Sequence, residues 1–201
     1  MKDQQDYIQD IAEIRSMMER SSKFLSLSGW AGIIAGMAAL AGAGIAHFAM
    51  EFRPDEILYP YPDLTTLIWL SLGVLVVALV GAIFDSYRKA GKRDEKAWNP
   101  TSRKMLSSMS VPLFAGGFLI VILISRSLLG LIAPLTLLFY GLSLFNAGFY
   151  TVKEVRIMGL FQMLLGLLNL TYIEFGLLFW ALGFGLVHIL YGIFMHLRYE
   201  R

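Results

Sequence analysis

Three histidines, His47, His188 and His196, have the widest chemical range of any residues in this chain, and no cysteine accompanies them. The lack of cysteine removes disulfides, thiolate nucleophiles and cysteine metal sites. Two histidines at one depth on facing helices would suit a haem iron. His47, however, lies near one end of its apolar stretch, His188 lies in the other half of a different stretch, and His196 is at the rim of the stretch that holds His188. No two are level on different helices, so no haem and no other cofactor is expected. His188 instead falls at a depth similar to Asn146 and Gln162, each in its own apolar stretch. Such a layer admits two chemistries. It can line a small cavity that takes an ion or ligand, or it can hold helices together by hydrogen bonds worth about 0.6 kcal/mol each inside a membrane.

Other chemistries find no support. The chain has no H-E-x-x-H, no G-x-S-x-G and no P-loop. Ser26, Ser28, Ser71 and Ser143 have no paired base. The loop E-F-R-P-D-E lacks the turn glycine of a calcium loop, so no metal site is expected. No carboxylate, lysine or arginine falls near the middle of any apolar stretch, so the acid relay of a proton-coupled pump is missing. Asp85 is expected to pair with Arg88 and Lys89 at the end of its stretch. No catalytic residue is assigned, and the expectation is a protein that is not an enzyme.

The elements that position these residues are apolar throughout. Six stretches contain no Asp, Glu, Lys or Arg: 24–50, 64–84, 105–125, 127–152, 157–173 and 175–197. A helix needs roughly 20 apolar residues to cross the hydrocarbon core. Charged residues make up 16% of the 201-residue chain, against about 25% in an ordinary globular domain. The expected fold is therefore all-α: a polytopic transmembrane helical bundle of six spans arranged as three hairpins, over residues 24–201, with the fifth span starting near 155. Residues 1–23 are expected to form a short amphipathic cytoplasmic helix ahead of it. This polar arm precedes the first apolar stretch, which is too long for the core of a cleaved signal peptide.

Charge orients the bundle. Alternate connections hold fifteen Lys and Arg on one side and two on the other, and the positive side faces the cytoplasm. Both termini are thus expected in the cytoplasm. The basic loop 85–104 is read as a topology determinant, and nucleic acid is not an expected partner; the lipid bilayer is. Pro112 is expected in the first turns of its helix, where it costs little, and Pro134 nearer mid-helix, where it could kink the chain.

Small residues mark two seams. Gly32 and Gly36 form a G-x-x-x-G pair continued by Ala39 and Ala43, and Ala181, Gly185 and Gly192 repeat the pattern in the last span. Such residues let backbones approach closely, either within one bundle or between two copies. In the arm, Tyr7, Ile11, Ile14 and Met18 follow a 4, 3, 4 spacing, an a/d seam. It can pack on its own bundle, or pair with a second copy or a cytoplasmic protein through residues 3–22. Crowded carboxylates at Asp3, Asp6, Asp10, Glu13 and Glu19 argue against a helix lying on lipid.

Two segments carry a resemblance. F-G-L-L-F-W-A-L-G-F-G-L-V-H-I-L-Y-G-I-F-M-H-L-R-Y-E-R, from Phe175 to Arg201, and R-S-S-K-F-L-S-L-S-G-W-A-G, from Arg20 to Gly32, resemble the ends of a family of uncharacterised bacterial multi-pass membrane proteins. The resemblance implies a bacterial inner-membrane location and the same span count, and carries no activity. The functional expectation is a non-enzymatic interaction or sensory protein using the arm as partner surface. The alternative is a small transporter or channel subunit using the layer of Asn146, Gln162 and His188.

Overall fold

A computed structural model of the chain describes residues 29–92 and 98–199. The arm, with Tyr7, Ile11, Ile14 and Met18, lies outside the described residues, as does the start of the first span. All regular structure among the described residues is helical. Among the described residues, six helices are long and apolar enough to cross a membrane: α1 Gly29–Ala49, α2 Leu64–Lys89, α3 Pro100–Ser125, α4 Leu129–Ala147, α5 Lys153–Thr171 and α6 Ile173–Arg198. A helix satisfies its backbone polar groups internally, which is what lipid demands. The chain is thus built as a multi-pass membrane protein.

Helix ends depart from the apolar stretches for local reasons. α3 begins at Pro100, ahead of the charge-free run that starts at 105, because Asn99 caps it. The Asn99 side chain accepts from the Ser102 N–H at 2.8 Å, and the Ser102 hydroxyl takes the Asn99 N–H at 2.9 Å. This reciprocal box, with proline at the first helical position, fixes the start. The two prolines consequently exchange the roles expected of them. Pro112 is well inside α3. Pro134 is the third residue of the α-helical run Ile132–Ala147, where backbone donors lack helical partners anyway. Two segments widen into π-turns, Ile45–Ala49 at the end of α1 and Ala181–Val187 within α6.

α1 packs on α2 and on α6, while α4 packs on α5, α3 and the first part of α6. At one end, loop 51–63 folds over the α3–α4 turn. Tyr59 N–H donates to the Ser127 carbonyl at 2.9 Å and Gly130 N–H to the Ile57 carbonyl at 3.3 Å. Ser127 takes a φ of 56° to reverse the chain there. Phe52 packs edge-on against Tyr59 and Tyr61 and, with Ala46 and Leu129, closes this end. Glu51, Asp55, Glu56 and Asp63 stay exposed around it, so we refer to it as the acidic end. The opposite, basic end holds Met105, Leu144, Ala147, Val155, Met158 and Met195 in one cluster. Arg198 reaches Glu154 at 3.8 Å, and the Arg156 guanidinium lies 4.0 Å over the Phe149 ring.

Candidate functional site: a polar node inside the bundle

The carbonyl oxygen of Gly183, in the π-turn of α6, accepts two side-chain hydrogen bonds. Gln162 Nε2 on α5 donates at 2.8 Å and His188 Nδ1 at 3.0 Å. A carbonyl can only accept, so His188 Nδ1 carries the proton, and the Nε2 of the neutral ring is an acceptor. Tyr140 on α4 meets that Nε2 at 2.9 Å, so its hydroxyl donates. Three helices are joined at one backbone atom and one imidazole. Gln162 and His188 are buried. Trp180, Phe184 and His188 line one face of α6, one turn apart, with adjacent ring centroids 5.0 and 5.8 Å apart. The Tyr140 ring lies against Phe184 and His188.

Glycine makes room for the amide. A methyl at Gly183 would sit 2.5 Å from Gln162 Oε1. One heptad toward the acidic end the arrangement recurs. Asn169 on α5 faces Gly176 on α6, with Oδ1 3.9 Å from where a methyl would stand. Seven residues forward on α5 correspond to seven backward on α6, as antiparallel neighbours require. Asn169 Nδ2 donates to the Tyr172 carbonyl at 3.3 Å. The amide oxygens of both residues, Gln162 Oε1 and Asn169 Oδ1, are buried without a hydrogen-bond partner among the described residues.

Of the expected layer, the structure brings Gln162 and His188 together. Asn146 goes elsewhere. Its Nδ2 reaches across to α3 and donates to the Ser108 carbonyl at 3.4 Å. In a regular helix that carbonyl would take the N–H of residue 112, which is proline and has none. Asn146 therefore serves a backbone acceptor that Pro112 leaves open, the kind of repair that neighbouring helices make in membranes. Tyr140 and Asn169 stand outside the expected layer. Tyr140 carries a readable signal, since a phenol in mid-span must find a partner for its hydroxyl.

The small-residue faces meet each other within the chain. A methyl at Gly36 would lie 2.6 Å from the Gly185 carbonyl oxygen, and one at Gly32 would lie 3.0 Å from that of His188. A methyl at Gly192 would lie 2.8 Å from Ile33 N. Ala39 and Ala43 are buried, and Ala181 is half-buried where the π-turn opens. A second seam joins α4 to α5, where methyls at Gly141 and Gly159 would each stand 2.7 Å from the other's carbonyl oxygen.

Comparison with protein-family models, curated proteins and solved structures finds no match. The chemistry must be read from the node itself. Both nitrogens of the imidazole are engaged by protein groups, so the ring has no open position from which to bind a metal or abstract a proton without first breaking a bond to Tyr140 or Gly183.

Proposed function

We propose that this chain is a non-enzymatic protein of the bacterial inner membrane, three helical hairpins with both termini in the cytoplasm, that acts in interaction or sensing through its N-terminal arm. The observation that supports the reading is the closure of the polar node: Tyr140, His188, Gln162 and the Gly183 carbonyl use one another as partners. A bundle knit in this way is suited to hold and orient its ends rather than to turn over a substrate. The fifteen-to-two asymmetry of basic residues supports the orientation, and the two resembling segments support the bacterial location. Tyr7, Ile11, Ile14 and Met18 are the proposed partner surface. Deleting residues 1–20 is expected to leave a folded bundle and to abolish recovery of crosslinked partners. Recovery of the same partners by the truncated form would remove the arm from this role.

A second reading, a small transporter or channel subunit, is favoured by one observation: the buried oxygens Gln162 Oε1 and Asn169 Oδ1 along the α5–α6 seam, which have no hydrogen-bond partner among the described residues. Acceptors in this state attract donors or cations, because leaving them unpaired is costly. This reading expects a flux into liposomes that His188→Ala changes, and a flux indifferent to that substitution would discard it.

A further inference from the structure

We propose that the wide-turn segment Ala181–Val187 is a two-state joint. The Tyr140, Gln162 and His188 side chains hold its present register, and the joint controls whether α1 stays in contact with the basic half of α6.

The segment is clasped from two sides. On one side, the Gly183 carbonyl is held by Gln162 of α5 and by His188, whose ring is in turn held by Tyr140 of α4. On the other side, Gly185 and Gly192 lie against α1, so close that a methyl at Gly36 or at Gly192 would meet backbone at 2.6 and 2.8 Å. Single π-turns inside α-helices accommodate one extra residue and are frequent at functional sites. Returning such a turn to α geometry advances everything beyond it by one position, about 100° around the axis at 3.6 residues per turn. That rotation would carry Gly192 off the seam and bring Tyr191 or Ile193 to face Gly29 and Ile33. Neither side chain fits where a single methyl already collides, so α1 and the basic half of α6 would have to part. The two arrangements are therefore discrete, as packed interfaces tend to be. The hydrogen bonds at Gly183 select the wide turn, and the wide turn aligns the glycines.

What this joint would control follows from chain order, since the arm leads into α1. The inference deepens the proposed interaction role and rests on it for its purpose, while the crosslinking outcome below does not depend on any partner.

The absence of cysteine makes the test direct. Trp30 on α1 and His196 on α6 have ring centroids 5.6 Å apart, so Trp30→Cys with His196→Cys reports the seam. Gly116 on α3 and Phe139 on α4 are in contact, a methyl at Gly116 lying 2.6 Å from Phe139 Cβ. Gly116→Cys with Phe139→Cys therefore reports a different interface, that of α3 on α4. Each pair is placed in the full-length chain and oxidised in native membranes, with and without Tyr140→Phe plus Gln162→Leu. The expected result is a fall of fivefold or more in seam crosslinking with the α3–α4 pair unchanged. Deleting Leu182, which removes one residue from the wide turn, is expected to restore seam crosslinking in the same background, because an α-helical segment then presents Gly192 without the staple. Seam crosslinking that is unaffected by the double substitution, that falls together with the α3–α4 pair, or that is not restored by the deletion would overturn the proposal.

Discussion

α2 and α5 are both long and apolar enough to cross a bilayer, with opposite relations to the rest of the chain. No residue in the most apolar 18-residue stretch of α2 is buried, whereas 39% of the corresponding stretch of α5 is. The buried residues of α5 include Gly159, Gln162, Gly166 and Asn169. The exposed residues of α2 include Trp69, Val80 and Phe84. In water the ranking would be reversed, with the large apolar side chains inside. Lipid solvates leucine and valine as well as a protein core does, so burial goes to the helices with small residues that permit close approach and with amides that need partners. The contrast teaches that, in this chain, polarity and smallness mark the interior.

The strongest way to break that contrast is to enlarge a glycine on the α4–α5 seam. Gly159→Val would drive side-chain atoms into the Gly141 carbonyl and the Phe145 N–H, each 2.7 Å from where a single methyl would stand. Both obstacles are backbone and cannot swing aside. A loss of about 1–3 kcal/mol is expected, the usual cost of overpacking, read as a lower unfolding midpoint in detergent. A midpoint equal to that of the parent protein would mean that α4 and α5 are not held at this distance.

Much of this was legible in the residues. Charge-free runs located all six helices, because charge is costly in hydrocarbon wherever a span lies. Gln162 and His188 could be paired by depth, since each is a polar group in the basic half of its apolar run. Tyr140 was less visible because its ring is apolar and only its hydroxyl needs a partner. Asn146 could not be placed without knowing where α3 begins. The cap at Asn99 moves that start to Pro100, which puts Pro112 inside the helix and opens the Ser108 carbonyl that Asn146 serves. Depth alone could not separate a residue facing α6 from one facing α3. The wide turn in α6 has no local sequence signature, since its register is set by bonds from α4 and α5.

The link between Asn146 and Pro112 sharpens the comparison at an intermediate scale. If Asn146 is retained to satisfy a carbonyl that Pro112 leaves open, its value depends on the proline. Asn146→Ala is expected to cost about 0.6 kcal/mol, the average for a hydrogen bond between membrane helices. In a Pro112→Ala background the restored N–H serves Ser108 from within α3, and the same change is expected to cost nothing measurable. A double-mutant cycle in detergent reads the difference directly. Equal costs in the two backgrounds would assign Asn146 to packing alone.

The smallest expected effect carries the contrast to a single type of substitution. Gly73 in α2 has open space where a methyl would go, whereas Gly159 in α5 has backbone there. Alanine is preferred over glycine inside a helix by roughly 0.5–1 kcal/mol in water-exposed cases. Gly73→Ala should keep part of that gain, about 0.5 kcal/mol at most, and raise the unfolding midpoint slightly. Gly159→Ala adds the same methyl and gains the same helix preference, yet should lower the midpoint because the collision outweighs it. Opposite signs from identical chemistry would isolate the packing contribution from the backbone contribution. Matching signs would mean that α2 and α5 experience the same surroundings, and the division between a lipid-facing helix and an interior one would fall.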